Sequence, residues 1–152
     1  MRKGLIIVIG ILLFLGGWIL MDFGETVEDA PKGTMSPEEI DAKIKDVEWK
    51  WIQFSDPKMG NVTIKDSQNY TMILNSDGTM NVKADCNNAN TTYKLDNGKI
   101  TVGLMAQTLA FCPEGSLSDQ FLANLQAATI YFTDDDNLYF DLQYDSGTMK
   151  FE

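Results

Sequence analysis

Apolar and polar residues alternate along much of this chain, and a period of two predicts β-strands. In "VEWKWIQF", Val47, Trp49 and Trp51 fall on one face, with Glu48 and Lys50 on the other. The same alternation predicts strands within residues 61–64, 69–85, 91–103, 128–133, 137–143 and 147–151. Most of the chain beyond residue 46 is therefore expected to be strand.

Tight turns separate these predicted strands. Segments 75–78 and 96–98 each end in glycine and lie between two alternating stretches, which is typical of a β-hairpin. Segments 134–137 and 145–147 occupy the same place later in the chain. Turns this short predict antiparallel neighbours.

Two segments carry helical signals. In "SPEEIDAKI", residues 36–44, Ser36 and Glu39 form a capping box around Pro37, which predicts about two helical turns. "SLSDQFLANLQAA" predicts a longer amphipathic helix, with Ser116 as its N-cap and Asp119 in its first turn. Its apolar stripe consists of Leu117, Phe121, Leu122 and Leu125.

These elements predict a mainly β fold, in which one α-helix is inserted among the strands. Short strands joined by tight turns fit a small curved antiparallel sheet or a partly open barrel, with the helix covering an open end or flank. Residues 37–152 are numerous enough to form a single core. We therefore expect one domain over this range.

The N-terminus follows a different pattern. Arg2 and Lys3 precede 18 uncharged residues, 4–21, which as a helix would span about 27 Å, close to the hydrocarbon core of a bilayer. A cleaved signal peptide would end in small residues, and a lipoprotein signal in a cysteine, whereas "GGWILMD" has neither arrangement. The pattern favours a transmembrane signal anchor over residues 1–21, followed by a flexible acidic linker over residues 22–36.

The positive-inside rule gives this anchor an orientation. Arg2 and Lys3 would hold the N-terminus in the cytoplasm. The expected protein therefore crosses the cell membrane once and has a soluble domain outside the cytoplasm. Its contact with the membrane is expected through the N-terminal helix.

The net charge narrows the range of partners. The chain has 12 basic and 22 acidic residues, for a net charge of −10. A protein with this negative charge repels phosphate backbones, so nucleic acid is not expected as a partner. It also repels anionic lipid surfaces.

Several motifs resemble the META domain, the family of HslJ-like heat-shock-inducible proteins and of secreted or anchored META domain proteins. The resemblance covers residues 47–152. The matching residues are Trp49 or Trp51, Cys86, Asn87, Tyr93, Thr108, Cys112, Phe121, Leu122, Leu125, Gly147, Met149 and Phe151. The chain departs from the pattern at Thr91, where the family often has glycine, and Asn90 is the candidate for a left-handed backbone there.

This resemblance implies a lipocalin-like small barrel and an association with envelope stress. It supplies no catalytic residue, cofactor or metal site. A possible partner is a protein of the cell envelope, whose identity the resemblance leaves open.

Cys86 and Cys112 are the only two cysteines, and the chain has no histidine. Neither thiol therefore has an imidazole base for catalysis, and a zinc site lacks ligands. One disulfide is expected for two cysteines in a small domain outside the cytoplasm. Two free buried thiols and a redox role are the alternatives. Asn87 is expected to satisfy backbone groups in its own turn.

The remaining candidate sites have simpler explanations. The acidic run 134–136 lacks the glycine and glutamate of a calcium loop, so a solvated turn is favoured over a surface calcium site. Asn61, Asn69 and Asn90 begin glycosylation sequons, whose use depends on the host. Six aromatic residues either form the core or line a ligand cavity: Trp49, Trp51, Tyr70, Tyr93, Tyr131 and Tyr139.

The leading hypothesis is a non-enzymatic, membrane-tethered extracytoplasmic module that binds or protects an envelope component. A purely structural or stress-protective module without a defined ligand is the alternative. An enzyme is a third hypothesis, disfavoured because no nucleophile–base pair can be named. A filled barrel interior would count against small-molecule binding.

Overall fold

Ten strands and two short helices make up residues 35–152, the part of the chain that this computed structural model describes. The helices are α1 (Pro37–Ile44) and α2 (Ser118–Gln126). The strands are β1 (Glu48–Asp56), β2 (Gly60–Thr63), β3 (Tyr70–Leu74), β4 (Thr79–Ala84), β5 (Asn87–Asp96), β6 (Lys99–Val102), β7 (Ala106–Gln107), β8 (Ala128–Asp134), β9 (Asn137–Leu142) and β10 (Thr148–Phe151).

The predicted membrane anchor, residues 1–21, and almost all of the predicted linker lie outside the described residues. Between residues 35 and 152, neither helix has the length and hydropathy that a bilayer crossing requires.

Eight strands close into an antiparallel barrel. Their order is β1-β3-β4-β5-β6-β8-β9-β10, and β10 returns to pair with β1. Closure places Trp51 opposite Phe151 and Phe54 opposite Met149. A mainly β, antiparallel fold was thus predicted correctly, and the predicted curved sheet or partly open barrel is a closed barrel. Strands β2 and β7 lie beside the barrel path, paired with β1 and β5.

Alternation predicts the buried face of most strands. Tyr70, Met72 and Leu74 in β3 are buried, as expected. Val47 departs from the prediction because it precedes β1 and is exposed. An irregularity in the β1–β10 register between Trp51 and Gln53 then breaks the period of two, so that the next buried residue of β1 is Phe54.

Side chains fill the interior of the barrel. Phe121 of α2 stacks on Trp51, with ring centroids 5.1 Å apart, and meets the ring of Tyr70 edge-on at 5.8 Å. The largest side chains without solvent contact are Trp51, Phe121, Phe140, Phe151, Ile44, Met72, Leu74, Met80, Leu125, Leu138 and Met149. The predicted aromatic set therefore belongs to the core, except for Tyr139, which is half-buried and stacks on the exposed Phe132 at 4.9 Å.

Helix α2 begins one residue later than its sequence predicts. Leu117 is the N-cap and makes no side-chain capping bond, so the prediction of Ser116 was wrong. The reason is tertiary: the backbone N–H of Leu117 donates to the hydroxyl of Tyr70 at 2.9 Å. Ser116 instead accepts a bond from the backbone N–H of Ser118 at 3.2 Å.

Helix α1 has the predicted capping box. Ser36 accepts a bond from the backbone N–H of Glu39, whose carboxylate accepts one from the backbone N–H of Ser36. The bond from the backbone N–H of Ser36, followed by the Ser36 side chain, favours the ionised carboxylate and lowers the pKa of Glu39. The indole N–H of Trp49 donates to the carbonyl of Ile44 at 2.9 Å, which fixes the C-terminal end of the helix on β1.

The hydroxyl of Tyr131 in β8 donates to the carboxylate of Asp41 and so joins α1 to the barrel. Burial, followed by this bond to Asp41, raises the pKa of Tyr131 to about 12. The folded state therefore holds the phenol proton more tightly than the unfolded chain, in which tyrosine titrates near pH 10.

We expect Tyr131→Phe to lower the free energy of unfolding by about 1–2 kcal/mol below pH 10, because Asp41 loses a hydrogen bond. In the wild type this contribution is complete below pH 10 and is lost as pH rises through about 12. Urea unfolding at neutral pH and across this alkaline range measures both effects, with Tyr144→Phe, at an exposed tyrosine, as the control. An unchanged alkaline slope in Tyr131→Phe would contradict the assignment.

Candidate functional site

Cys86 and Cys112 form a disulfide whose Cα atoms lie 5.4 Å apart. Cys86 stands with Asp85 in the turn between β4 and β5, and Asp85 has the left-handed backbone, with φ of 56°. Asn90, the candidate for that conformation, lies within β5, as does Thr91. The prediction for Asn90 was therefore wrong, because the chain reverses at Asp85 five residues earlier.

Asn87 sits beside the disulfide with its side chain buried. Its amide oxygen accepts bonds from the backbone N–H of Ala110 at 2.8 Å and the hydroxyl of Thr108 at 3.0 Å. Its amide nitrogen lies 3.3 Å from the carbonyl of Ala110 and 3.3 Å from the hydroxyl of Ser118. Asn87 thus satisfies backbone groups as expected, but those of a segment more than twenty residues away instead of its own turn.

These bonds position the 103–113 loop, which runs from Gly103 to Pro113 and includes β7. Thr91 donates from its hydroxyl to the carbonyl of Leu104 at 3.1 Å. The backbone N–H of Thr108 donates to the carbonyl of Asn88 at 2.9 Å. With the disulfide at Cys112, the loop is held near both ends and in the middle.

The 103–113 loop displays three large apolar side chains. Leu104 is 90%, Leu109 86% and Phe111 102% exposed. The contacts described above use backbone atoms of the loop, the Thr108 hydroxyl and the Cys112 sulfur, so these three side chains stay free. Sequence reasoning missed them, although residues 100–113 are a run of 14 without a charge in an otherwise highly charged chain.

Other residues of the family motif pack in the core, bond within the protein or shape the backbone. Phe121, Leu122 and Met149 are buried in the core. The hydroxyl of Tyr93 donates to the carbonyl of Asn75 at 2.7 Å. Gly147 has φ of 144°, and a Cβ there would collide with the ring of Phe54. All five residues are thus accounted for by packing, by a hydrogen bond or by backbone conformation.

The three asparagines of the predicted glycosylation sequons lie on different elements, and Asn90 pairs with Ala106 of the 103–113 loop. Asn61 and Asn90 are exposed on β2 and β5, whereas Asn69 is half-buried. Within residues 35–152 there is no cluster of three or more acidic or sulfur side chains that could hold a metal ion. In the 134–137 turn the ammonium of Lys43 lies 3.2 Å from Asp136 and 3.1 Å from the carbonyl of Asp135.

Two surface cavities flank the disulfide. One, of about 410 Å³, lies between the stretch 63–70 and residues 113–117. The other, of about 260 Å³, is lined by Asn87, Phe111 and Asp119 among others. Since side chains fill the barrel, any ligand must approach its outer surface.

The fold and this site define a closed eight-stranded barrel that is packed by a helix and cross-linked by one disulfide. The META domain family model matches residues 42–151, and the chain belongs to that family. The resemblance read from the sequence is thereby confirmed. Among curated proteins, none matches this chain.

Solved structures share the fold. An NMR structure of a protein from Burkholderia xenovorans is 18% identical, with a TM-score of 0.62 over 82% of this chain and 92% of that one. A crystal structure of a duf4847 family protein from Bacteroides vulgatus is 13% identical, with a TM-score of 0.54 over 74% of this chain and 95% of that one. The match covers more than nine-tenths of each of those two chains.

We expect Asn87→Ala to lower the free energy of unfolding by about 1–3 kcal/mol, because buried polar groups lose their partners. The amide of Ala110, which donates to Asn87, should also exchange its hydrogen faster. Urea unfolding and amide exchange measure the two effects. Asn88→Ala at the exposed neighbouring position is the matched control, and equal losses from both variants would contradict the role of Asn87.

We expect Cys86→Ser/Cys112→Ser to lose about 3 kcal/mol of stability, since the bond restricts the unfolded chain. Denaturant unfolding of the variant, compared with the wild type with and without reductant, measures this loss. Thiol titration in denaturant, on protein taken from its native compartment, tests the bond itself. Two free thiols there would show that the cysteines are unpaired in the cell.

Proposed function

We propose that this META domain protein is a non-enzymatic, membrane-tethered module that binds a protein or another component of the cell envelope outside the cytoplasm. The observation that carries this proposal is the combination of a filled barrel with a held loop that displays Leu104, Leu109 and Phe111. A filled interior leaves recognition to the outer surface, and large exposed apolar side chains are typical of interaction sites.

The proposed location rests on two features. Residues 4–21 carry no charge and follow Arg2 and Lys3, a pattern typical of a signal anchor. The bond between Cys86 and Cys112 is of a kind that persists in oxidising compartments. Both features favour a domain outside the cytoplasm.

The proposed absence of catalysis rests on the chemistry of the residues. The chain has no histidine. Both cysteines are joined to each other, so neither is a thiolate nucleophile. The motif residues Asn87, Tyr93 and Thr108 donate or accept hydrogen bonds within the protein.

Membrane fractionation and site-specific crosslinking test this proposal. We expect the full chain to stay with membranes through an alkaline wash, and a chain without residues 2–21 to be released. A photoreactive residue in place of Phe111 should capture a reproducible partner in intact cells. The same residue in place of Met59, which is exposed in the β1–β2 turn, should not.

The outcomes separate the hypotheses. Release of the full chain by the wash would argue against the tether. A tethered chain that captures no partner at position 111 would favour the structural or stress-protective module. A substrate turned over by the wild type, and not by a folded loop variant, would contradict the non-enzymatic assignment.

A further inference from the structure

We propose that the 103–113 loop is a docking surface for a partner protein that presents an apolar face edged by lysine and arginine. This proposal rests on the proposed function as a binding module and specifies its surface and the chemistry of its partner. It is carried by the exposure of the loop, by the contacts that hold the loop, and by the charge around it.

The exposed side chains are of the type that anchors protein interfaces. Leu104, Leu109 and Phe111 lie within eight positions and are at least 86% exposed. Elsewhere in residues 35–152, most large apolar residues are buried in the core. Three such side chains on one loop offer apolar area that a partner can remove from water.

The loop is held in place before any partner arrives. Asn87 binds the backbone of Ala110, Thr91 binds that of Leu104, and the disulfide holds Cys112. Ordering a flexible loop would subtract from affinity, and a loop that is already ordered avoids that cost. The contacts thus favour recognition of an existing surface over folding upon binding.

Carboxylates dominate the charge around the loop. From Ile100 to Met149 the chain has no lysine or arginine and seven acidic residues. Asp119 shares a cavity with Phe111 and Cys112, and Glu114 and Asp85 share the next one, where Lys65 is also present. An apolar centre with a mainly acidic rim is complementary to an apolar face with a basic rim.

The same charge disfavours two other occupants. Residues 35–152 contain nine lysines and 18 acidic residues, which gives this body a net charge of −9. Two copies facing each other through acidic rims repel, and so do this surface and an anionic bilayer. A basic partner protein is the occupant that the charges favour.

The proposal is tested in solution with residues 35–152, which belong to one compact unit of the chain. The main probe is a helical peptide of about 18 residues, or five turns, with leucine on one face and lysine along its edges. A second peptide replaces lysine by glutamate, and a third replaces leucine by serine. We expect the leucine–lysine peptide to bind at least about tenfold more tightly than either.

Variants locate the binding surface. Leu109→Ser/Phe111→Ser should weaken binding of the leucine–lysine peptide at least about tenfold. Met59→Ser, at an exposed methionine away from the loop, should bind like the wild type. Thermal unfolding of each variant tests whether the barrel is retained. We expect that it is, because both loop side chains are exposed.

Several results would overturn the proposal. If the serine–lysine peptide bound as tightly as the leucine–lysine peptide, net charge alone would explain the binding. If the loop variant bound the leucine–lysine peptide as tightly as the wild type, the binding site would lie elsewhere. Self-association, or binding to phosphatidylcholine vesicles, that depends on Phe111 would assign the loop to a second copy or to lipid. Because the domain is tested in solution, failure of the membrane tether would leave this result unaffected.

Discussion

The pairing of β1 with β10 is the contact on which the rest of the structure depends. It joins Trp51 to Phe151 across almost the whole domain and turns a twisted sheet into a ring of eight strands. A barrel of that size has an interior that side chains can fill. Phe121 from α2 completes the filling by stacking on Trp51. Closure therefore forms the ring, and the side chains packed inside it occupy the space that a central ligand cavity would need.

A binding partner would therefore meet the outer surface, where Asn87 connects three segments of the chain. One buried amide holds Ala110, Thr108 and Ser118, so it links the start of β5 to both the 103–113 loop and the first residue of α2. The adjacent disulfide adds a covalent link between the residue before β5, Cys86, and Cys112 of the 103–113 loop. The contacts that complete the core and those that display the loop are therefore neighbours, and a change in one affects the other.

The sequence predicted what depends on local pattern. Alternation identified the buried face of β3, and the capping box identified the start of α1. Barrel closure was beyond this reasoning, because the residues that pair, Trp51 and Phe151, are 100 positions apart and either edge could have stayed open. Ser116 failed as an N-cap because Tyr70 holds Leu117. The exposed loop escaped prediction because apolar composition alone does not distinguish a buried segment from a displayed one.

The negative charge of residues 35–152 opposes the self-association that exposed apolar side chains would otherwise favour. Leu104, Leu109 and Phe111 would promote self-association on a neutral surface, whereas a net charge of −9 over residues 35–152 keeps copies apart. A basic facing surface would be attracted instead, so in the proposed interaction charge selects the partner and the apolar loop anchors it. In the proposed function, the motif shared with the family, Cys86-Asn87 with Thr108 and Cys112, keeps the displayed surface in one conformation.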